Sequence, residues 1–107
     1  MKIFPCIVAL AFVSGAAVAA LAAEQTVSQK GRVFSMSEAK VKKGDKLVFV
    51  NDDNVAHNVY STSPGNDFNL GSQAPGKSVS VTFDKAGNID IMCAIHPLMK
   101  MKVTVAE

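Results

Sequence analysis

Within seven residues, Cys93-Ala94-Ile95-His96-Pro97-Leu98-Met99, the chain offers a thiolate, an imidazole and a thioether. The other histidine of the chain, His57, lies well upstream in Asn51-Asp52-Asp53-Asn54-Val55-Ala56-His57-Asn58-Val59. Copper alternates between a soft monovalent and a harder divalent state, and mixed sulfur and imidazole ligands in a trigonal set with a weak axial thioether hold both. Each residue taken singly has a plainer reading. An isolated cysteine is most often a buried core residue, an isolated His57 a hydrogen-bonded structural histidine, and His96 an exposed loop residue before a proline. Three-residue spacing between a thiol and an imidazole beside a turn suits chelation, and it reverses the odds for Cys93. Two other chemistries fit less well. A thiol enzyme lacks an evident third group to orient the histidine, and a structural zinc site ordinarily has more than one thiolate.

The first 23 residues have the layout of a secretory signal. Lys2 forms a short positive region, Ile3 to Val13 an apolar stretch, and Ala16 to Ala23 a run of small residues suited to cleavage. Ala20-Leu21-Ala22 meets the small-x-small rule, so the mature chain is expected to begin at Ala23 or Glu24. An uncleaved anchor is the competing reading, because Ile3 to Ala23 is nearly long enough to span a bilayer. No Arg-Arg pair precedes the apolar stretch, which favours the general secretory route over the twin-arginine one. The domain is expected over residues 24–107, one small core of about 85 residues. Its 10 basic groups against 9 acidic ones give no clustered basic footprint for nucleic acid. Cys6 leaves with the signal, so Cys93 cannot form an internal disulfide and must be protected by burial or by a metal in an oxidising compartment.

The elements that must position these residues are strands. Gly31 to Ser35, Lys40 to Val41, Leu47 to Val50, His57 to Ser61, Ser78 to Phe83, Ile89 to Met92 and the alternating Met101, Val103 and Val105 read as strands between turn residues. The stretch from Phe68 and Leu70 to Pro75-Gly76 reads as irregular. No segment has a helical period. About six to eight short strands predict an all-β fold, a small antiparallel two-sheet sandwich with Greek-key connections. Ile89, Ile91 and Cys93 share a parity, which points the thiol inward at the end of its strand. Lys40, Lys42, Lys43 and Lys46 read as a solvated hairpin. At about 3.3 Å per residue, they stand about 15 to 20 Å from the His57 end.

With these residues assembled, the chain resembles the cupredoxins, the small type 1 blue copper proteins, and within them the amicyanin and plastocyanin group. The likeness runs from Lys30-Gly31-Arg32-Val33-Phe34 through Val41-Lys42-Lys43-Gly44-Asp45 and Asn51 to His57-Asn58-Val59, then Pro75-Gly76, Ala86-Gly87 and the Cys-x-x-His-Pro-x-Met loop. It implies one Cu(I)/Cu(II) ion per chain, held by His57, Cys93 and His96 with Met99 as axial ligand. Met101 is the alternative axial ligand, because a four-residue gap after the histidine also occurs among cupredoxins. Asn58 matches the asparagine that ties the first histidine's strand to the loop after the cysteine. Ala56 stands where many relatives have proline, and Met92 where an aromatic is common. The resemblance further implies an exported, monomeric, non-enzymatic carrier of single electrons. Its redox partners would dock transiently at His96, Pro97 and Leu98, with Pro64 also near. Copper delivery or buffering without a redox role is the alternative function.

Overall fold

A computed structural model describes residues 22–107. The expected signal falls almost wholly on residues 1–21, outside the described residues. Nine strands run in chain order as β1 (Glu24–Lys30), β2 (Val33–Phe34), β3 (Glu38–Lys42), β4 (Lys46–Asn51), β5 (His57–Ser63), β6 (Asn66–Gln73), β7 (Ser78–Thr82), β8 (Gly87–Met92) and β9 (Lys100–Ala106). They form two sheets, β2-β1-β4-β7 and β3-β9-β8-β5-β6. The fold is the expected all-β sandwich, and its sheets are mixed: β1 with β4 and β3 with β9 are parallel pairs.

Two stretches differ from the sequence expectation. The first strand is Glu24–Lys30, and the segment expected to be that strand supplies only the short β2. Residues 66–73 form a full edge strand rather than an irregular stretch. Both sequences hide their alternation. In β1 the inward positions near the strand's end are Val27 and Gln29, and a buried amide does not register as apolar. In β6 the half-buried Phe68 and Leu70 alternate with Asn, Asp and Gly, which are poor strand formers and are held here by pairing with β5.

The core lies between the sheets. Val27, Leu47 and Phe49 of one sheet face Val59, Ile89, Ile91, Met101, Val103 and Val105 of the other. Phe34 meets Phe49 edge to face at 5.9 Å, and Phe68 meets Phe83 likewise at 6.4 Å. Strand parity delivers this core directly, because every second residue of β8 and β9 points inward.

One carboxylate closes the end of the sandwich remote from Cys93. Gly44, at φ 89°, turns the chain between β3 and β4. Asp45 then accepts the Lys42 N–H at 2.8 Å on one oxygen and the Ala23 N–H at 2.9 Å on the other. These two amide hydrogen bonds, with a smaller contribution from the Lys42 charge, hold the Asp45 carboxyl below its ordinary pKa of 3.8. A carboxyl lowered on folding stabilises the native state above its unfolded pKa, and that contribution fades as the pH falls through the folded value. Asp45→Asn removes it and turns an NH2 toward one of the two donors. The variant is expected to be less stable than the parent at pH 7, with the gap narrowing at pH 3, as read from urea unfolding at the two pH values.

Candidate metal centre

The site is built where β5 begins and β8 ends. Strands β5 and β8 are neighbours, with Tyr60 opposite Met92, so His57 and Cys93 arrive at the same end of the same sheet. Between the Asn58–Ser72 and Tyr60–Asn69 pairs, β6 carries one residue more than β5, with Gly71 at φ 78°. This bulge breaks the alternation beside the site. In β5 the inward parity of His57, Val59 and Ser61 is kept, and Asn58 on the other face is buried as well. After Cys93 the chain makes a tight loop, closed by Cys93 N–H to Met99 O at 3.3 Å and Met99 N–H to His96 O at 2.9 Å. The loop brings His96 back over the thiol. Its ring meets that of His57 edge-on, centroids 4.9 Å apart.

Three donor atoms converge there. His57 Nδ1 and His96 Nδ1 are 3.1 Å apart, and Cys93 Sγ lies 4.0 Å from the first and 3.9 Å from the second. The centre of that triangle is about 2.1 Å from each corner, comparable with the metal–nitrogen and metal–sulfur bonds of about 2.0 and 2.3 Å seen for zinc. His57 is 0% and Cys93 1% exposed, while His96 is half-buried and reaches the surface. One thiolate with two imidazoles is the strong-donor set of a copper site, and the residues fit that ion in type as well as in position. Met99 and Met101 are both buried on the inner side of the chain.

The donors are themselves fixed. The side chain of Asp53 accepts from His57 Nε2 at 3.0 Å, which leaves the lone pair of Nδ1 facing Cys93. Asp53 also accepts the N–H groups of Arg32 and Asn54, both at 2.9 Å. The Arg32 N–H foremost, then the His57 ring, hold its pKa at about 2, so it stays a carboxylate at any ordinary pH. Arg32 reaches it from Gly31-Arg32, the two-residue turn of the β1–β2 hairpin, where both residues have positive φ. Asn58 joins three pieces of chain. Its side chain accepts the Ala94 N–H at 3.2 Å and donates to Gly71 O and to Asn69 Oδ1, each at 2.9 Å. Its own N–H points at Cys93 Sγ, 3.3 Å away, and withdraws charge from the sulfur.

Asp53 and Arg32 are the functional residues that sequence reasoning missed. Two acids stand side by side before His57, and only the fold separates them: Asp52 bonds Ser28 Oγ, while Asp53 turns to the imidazole. The signal was an acid four residues before a candidate ligand. At the surface, Arg32, Ile95, His96, Pro97 and Leu98 line an open depression of about 270 Å³. Leu98 is 93% exposed and Ile95 47%, a concentration of bare apolar surface beside one imidazole. Pro64, in the β5–β6 turn, is not among its lining residues. The lysine cluster stands elsewhere, with Lys42 paired to Ala106 and Lys43 and Lys46 flanking the Asp45 turn at the other end.

A family model for copper-binding proteins of the plastocyanin/azurin family matches residues 21–106. The methylamine utilization protein MauL of Methylorubrum extorquens is 35% identical over 68 residues, covering 63% of this chain and 60% of that protein. Amicyanin-alpha of the same organism is 32% identical over 75 residues, 67% of this chain and 63% of the relative. The chain thus spans under two thirds of the length of either relative. Among solved structures, an amicyanin variant with Cu(I) superposes with a TM-score of 0.71 at 26% identity, over 78% of this chain and 81% of the other. A copper-containing nitrite reductase from Thermus scotoductus gives 0.72 at 26% identity, over 81% of this chain but only 23% of the enzyme. A purple cupredoxin from Nitrosopumilus maritimus shares the fold, at 22% identity and a TM-score of 0.67 over 76% of this chain and 98% of its own. The chain therefore belongs to the plastocyanin/azurin family of copper-binding proteins, the cupredoxins, and copper is the ion for which His57, Cys93 and His96 are positioned.

Proposed function

We propose that this protein is an exported, monomeric carrier of single electrons, in which His57, Cys93 and His96 hold one copper ion and Met99 lies axial to them. The observation that supports the reading is a donor triangle with two buried corners, His57 and Cys93, whose third imidazole, that of His96, stands at the margin of a bare apolar surface. Copper supplies the one-electron couple. The protein keeps the ligands from rearranging between the two states, and strands β5 and β8 together with the closed Cys93–Met99 loop supply that stiffness. Copper delivery or buffering remains the competing function; fast, reversible reduction of the bound ion distinguishes the two.

Transient redox partners dock, on this proposal, around His96, Pro97 and Leu98. Ile95 extends the apolar surface, and Arg32 gives it one cation at its edge, which suits a partner with a carboxylate beside an apolar face. Export through a signal that ends at Ala23 or at Ala22 leaves residues 24–107 or 23–107 as the copper domain, with no membrane span after cleavage. Cleavage after Ala22 is the better fit to the fold. It keeps Ala23, whose nitrogen bonds Asp45 and whose carbonyl accepts the Lys46 N–H at 3.0 Å.

Copper(II) titration of the mature chain should reach one ion per chain and give an intense visible thiolate-to-copper band that reduction bleaches reversibly. Cys93→Ser should lose the band and keep the fold by circular dichroism; a colourless parent, or a resonance spectrum with nitrogen and oxygen ligation alone, overturns the reading. Met99 and Met101 are one strand repeat apart, about 6.6 to 6.8 Å, too far for one ion to be held closely by both. Met99→Gln should shift the visible spectrum and lower the reduction potential, whereas Met101→Leu should lower stability and leave the colour. The reverse pattern moves the axial role to Met101. If the apolar surface is the electron port, Leu98→Asp should slow electron self-exchange between two copies about tenfold, a change of about 1.4 kcal/mol, with an unaltered visible spectrum. Self-exchange is read from nuclear magnetic resonance line widths of mixed oxidation states.

A further inference from the structure

The interior at the metal end is polar. Register sets Gln29 of β1 beside Asn51 of β4 in one sheet, and His57 of β5 opposite Gln73 of β6 in the other. All four side chains are buried. Gln29, Asn51 and Gln73 together form a buried amide layer next to His57.

The hydrogen bonds of this layer run in one direction only. Gln73 Nε2 donates both its protons, one to Phe49 O at 2.8 Å and one to Lys77 O. With its nitrogen so committed, Gln73 presents Oε1 to Gln29, which donates from Nε2 at 2.7 Å. Gln29 Oε1 is then left buried without a partner. Turning Gln29 over would set oxygen against oxygen, and turning Gln73 over would set its oxygen against two carbonyls. Neither amide can flip. Asn51 is locked in the same way. Its Nδ2 donates to Gln73 O and to Val55 O, each at 2.9 Å, and its Oδ1 accepts the Asp53 N–H at 2.9 Å. Asp53 in turn receives His57 Nε2–H.

We propose that Gln73 is a positioning residue for His57. Its side chain, bonded to Phe49 O and Lys77 O, fixes the backbone at this position, and that backbone acts by two routes: its carbonyl holds Asn51, which holds Asp53 and so the imidazole Nε2, and its place in the β5–β6 ladder lies opposite His57. Gln73 touches no donor atom. Its side chain anchors β1, β4 and the turn Ala74-Pro75-Gly76-Lys77, and its carbonyl orients the asparagine that holds the 52–56 loop. An apolar side chain of similar length would keep the carbonyl at position 73 but release it from its anchors at Phe49 O and Lys77 O, and it would leave Gln29 without a partner for Nε2 as well as for Oε1, so the carbonyl that holds the 52–56 loop would no longer be fixed. The unsatisfied Gln29 oxygen marks a layer whose polarity is dictated from the Gln73 end. The role assigned to Gln73 rests on His57 being a copper ligand, but the test reads the metal-free chain, so either idea can fail alone.

The experiment is Gln73→Met in the metal-free full chain, with the hydrogen exchange of the His57 ring Nε2–H followed by nuclear magnetic resonance. Val103→Ala, a truncation in β9 remote from the layer, serves as a control of comparable instability. With the loss of global stability subtracted, Gln73→Met should speed exchange at His57 about tenfold or more, while Val103→Ala leaves it unchanged. Gln29→Met, which removes only the bond to Gln73 Oε1, should give a smaller increase, and it carries the test if Gln73→Met does not fold. Exchange at His57 in the glutamine variants no faster than in the control, after the same subtraction, overturns the proposal. In the copper-loaded protein, Gln73→Met should also change the copper hyperfine splitting, which a loss of stability alone does not move.

Discussion

Three electron-rich atoms with no intrinsic attraction for one another are held at the corners of a triangle 3.1 to 4.0 Å on a side. The surrounding structure is organised by that constraint. Left to themselves, two imidazole lone pairs and a thiolate would turn outward to water or to separate donors. The fold prevents this by burying His57 and Cys93 in neighbouring strands and closing the Cys93–Met99 loop with backbone hydrogen bonds at both ends. A metal ion entering such a site meets ligands already in place, and little motion is left for a change of oxidation state to drive.

The restraints form concentric layers of different chemistry. Against the sulfur lies one amide N–H, from Asn58. Against the far nitrogen of His57 lies a carboxylate that hydrogen bonds to Arg32, His57 and Asn54 keep ionised. Next to His57 is the amide layer of Gln29, Asn51 and Gln73, apart from the aliphatic core. Polar groups buried in this number are costly unless paired, and here nearly all are paired in one arrangement. The bulge at Leu70–Gly71 serves the same end, since it brings Gly71 O within reach of Asn58.

The two ends of the sandwich divide the labour. At one, Asp45 ties Ala23, Lys42 and Phe83 together among lysines that face solvent. At the other, His96 lies beside Leu98 and Ile95, which the fold leaves bare. Apolar side chains so exposed contribute nothing to this chain's own core, and they suit brief contact with another surface.

The sequence by itself determined the chemistry and the fold class. A cysteine and a histidine three residues apart, one further histidine, and the parity of Ile89, Ile91 and Cys93 are local patterns, and the period of two along a strand makes them legible without knowledge of the rest. Strands β8 and β9 were readable for the same reason. Tertiary structure alone decided that β1 and β6 are strands, because Gln29, Asn69 and Gly71 owe their conformations to partners in other strands. It decided the two parallel pairings, which join residues far apart in the chain. It also chose Asp53 over Asp52 as the partner of His57, and set Arg32 in a turn that aims its N–H there. Such choices depend on which atoms meet across the molecule, and no short window of sequence contains both sides of that meeting.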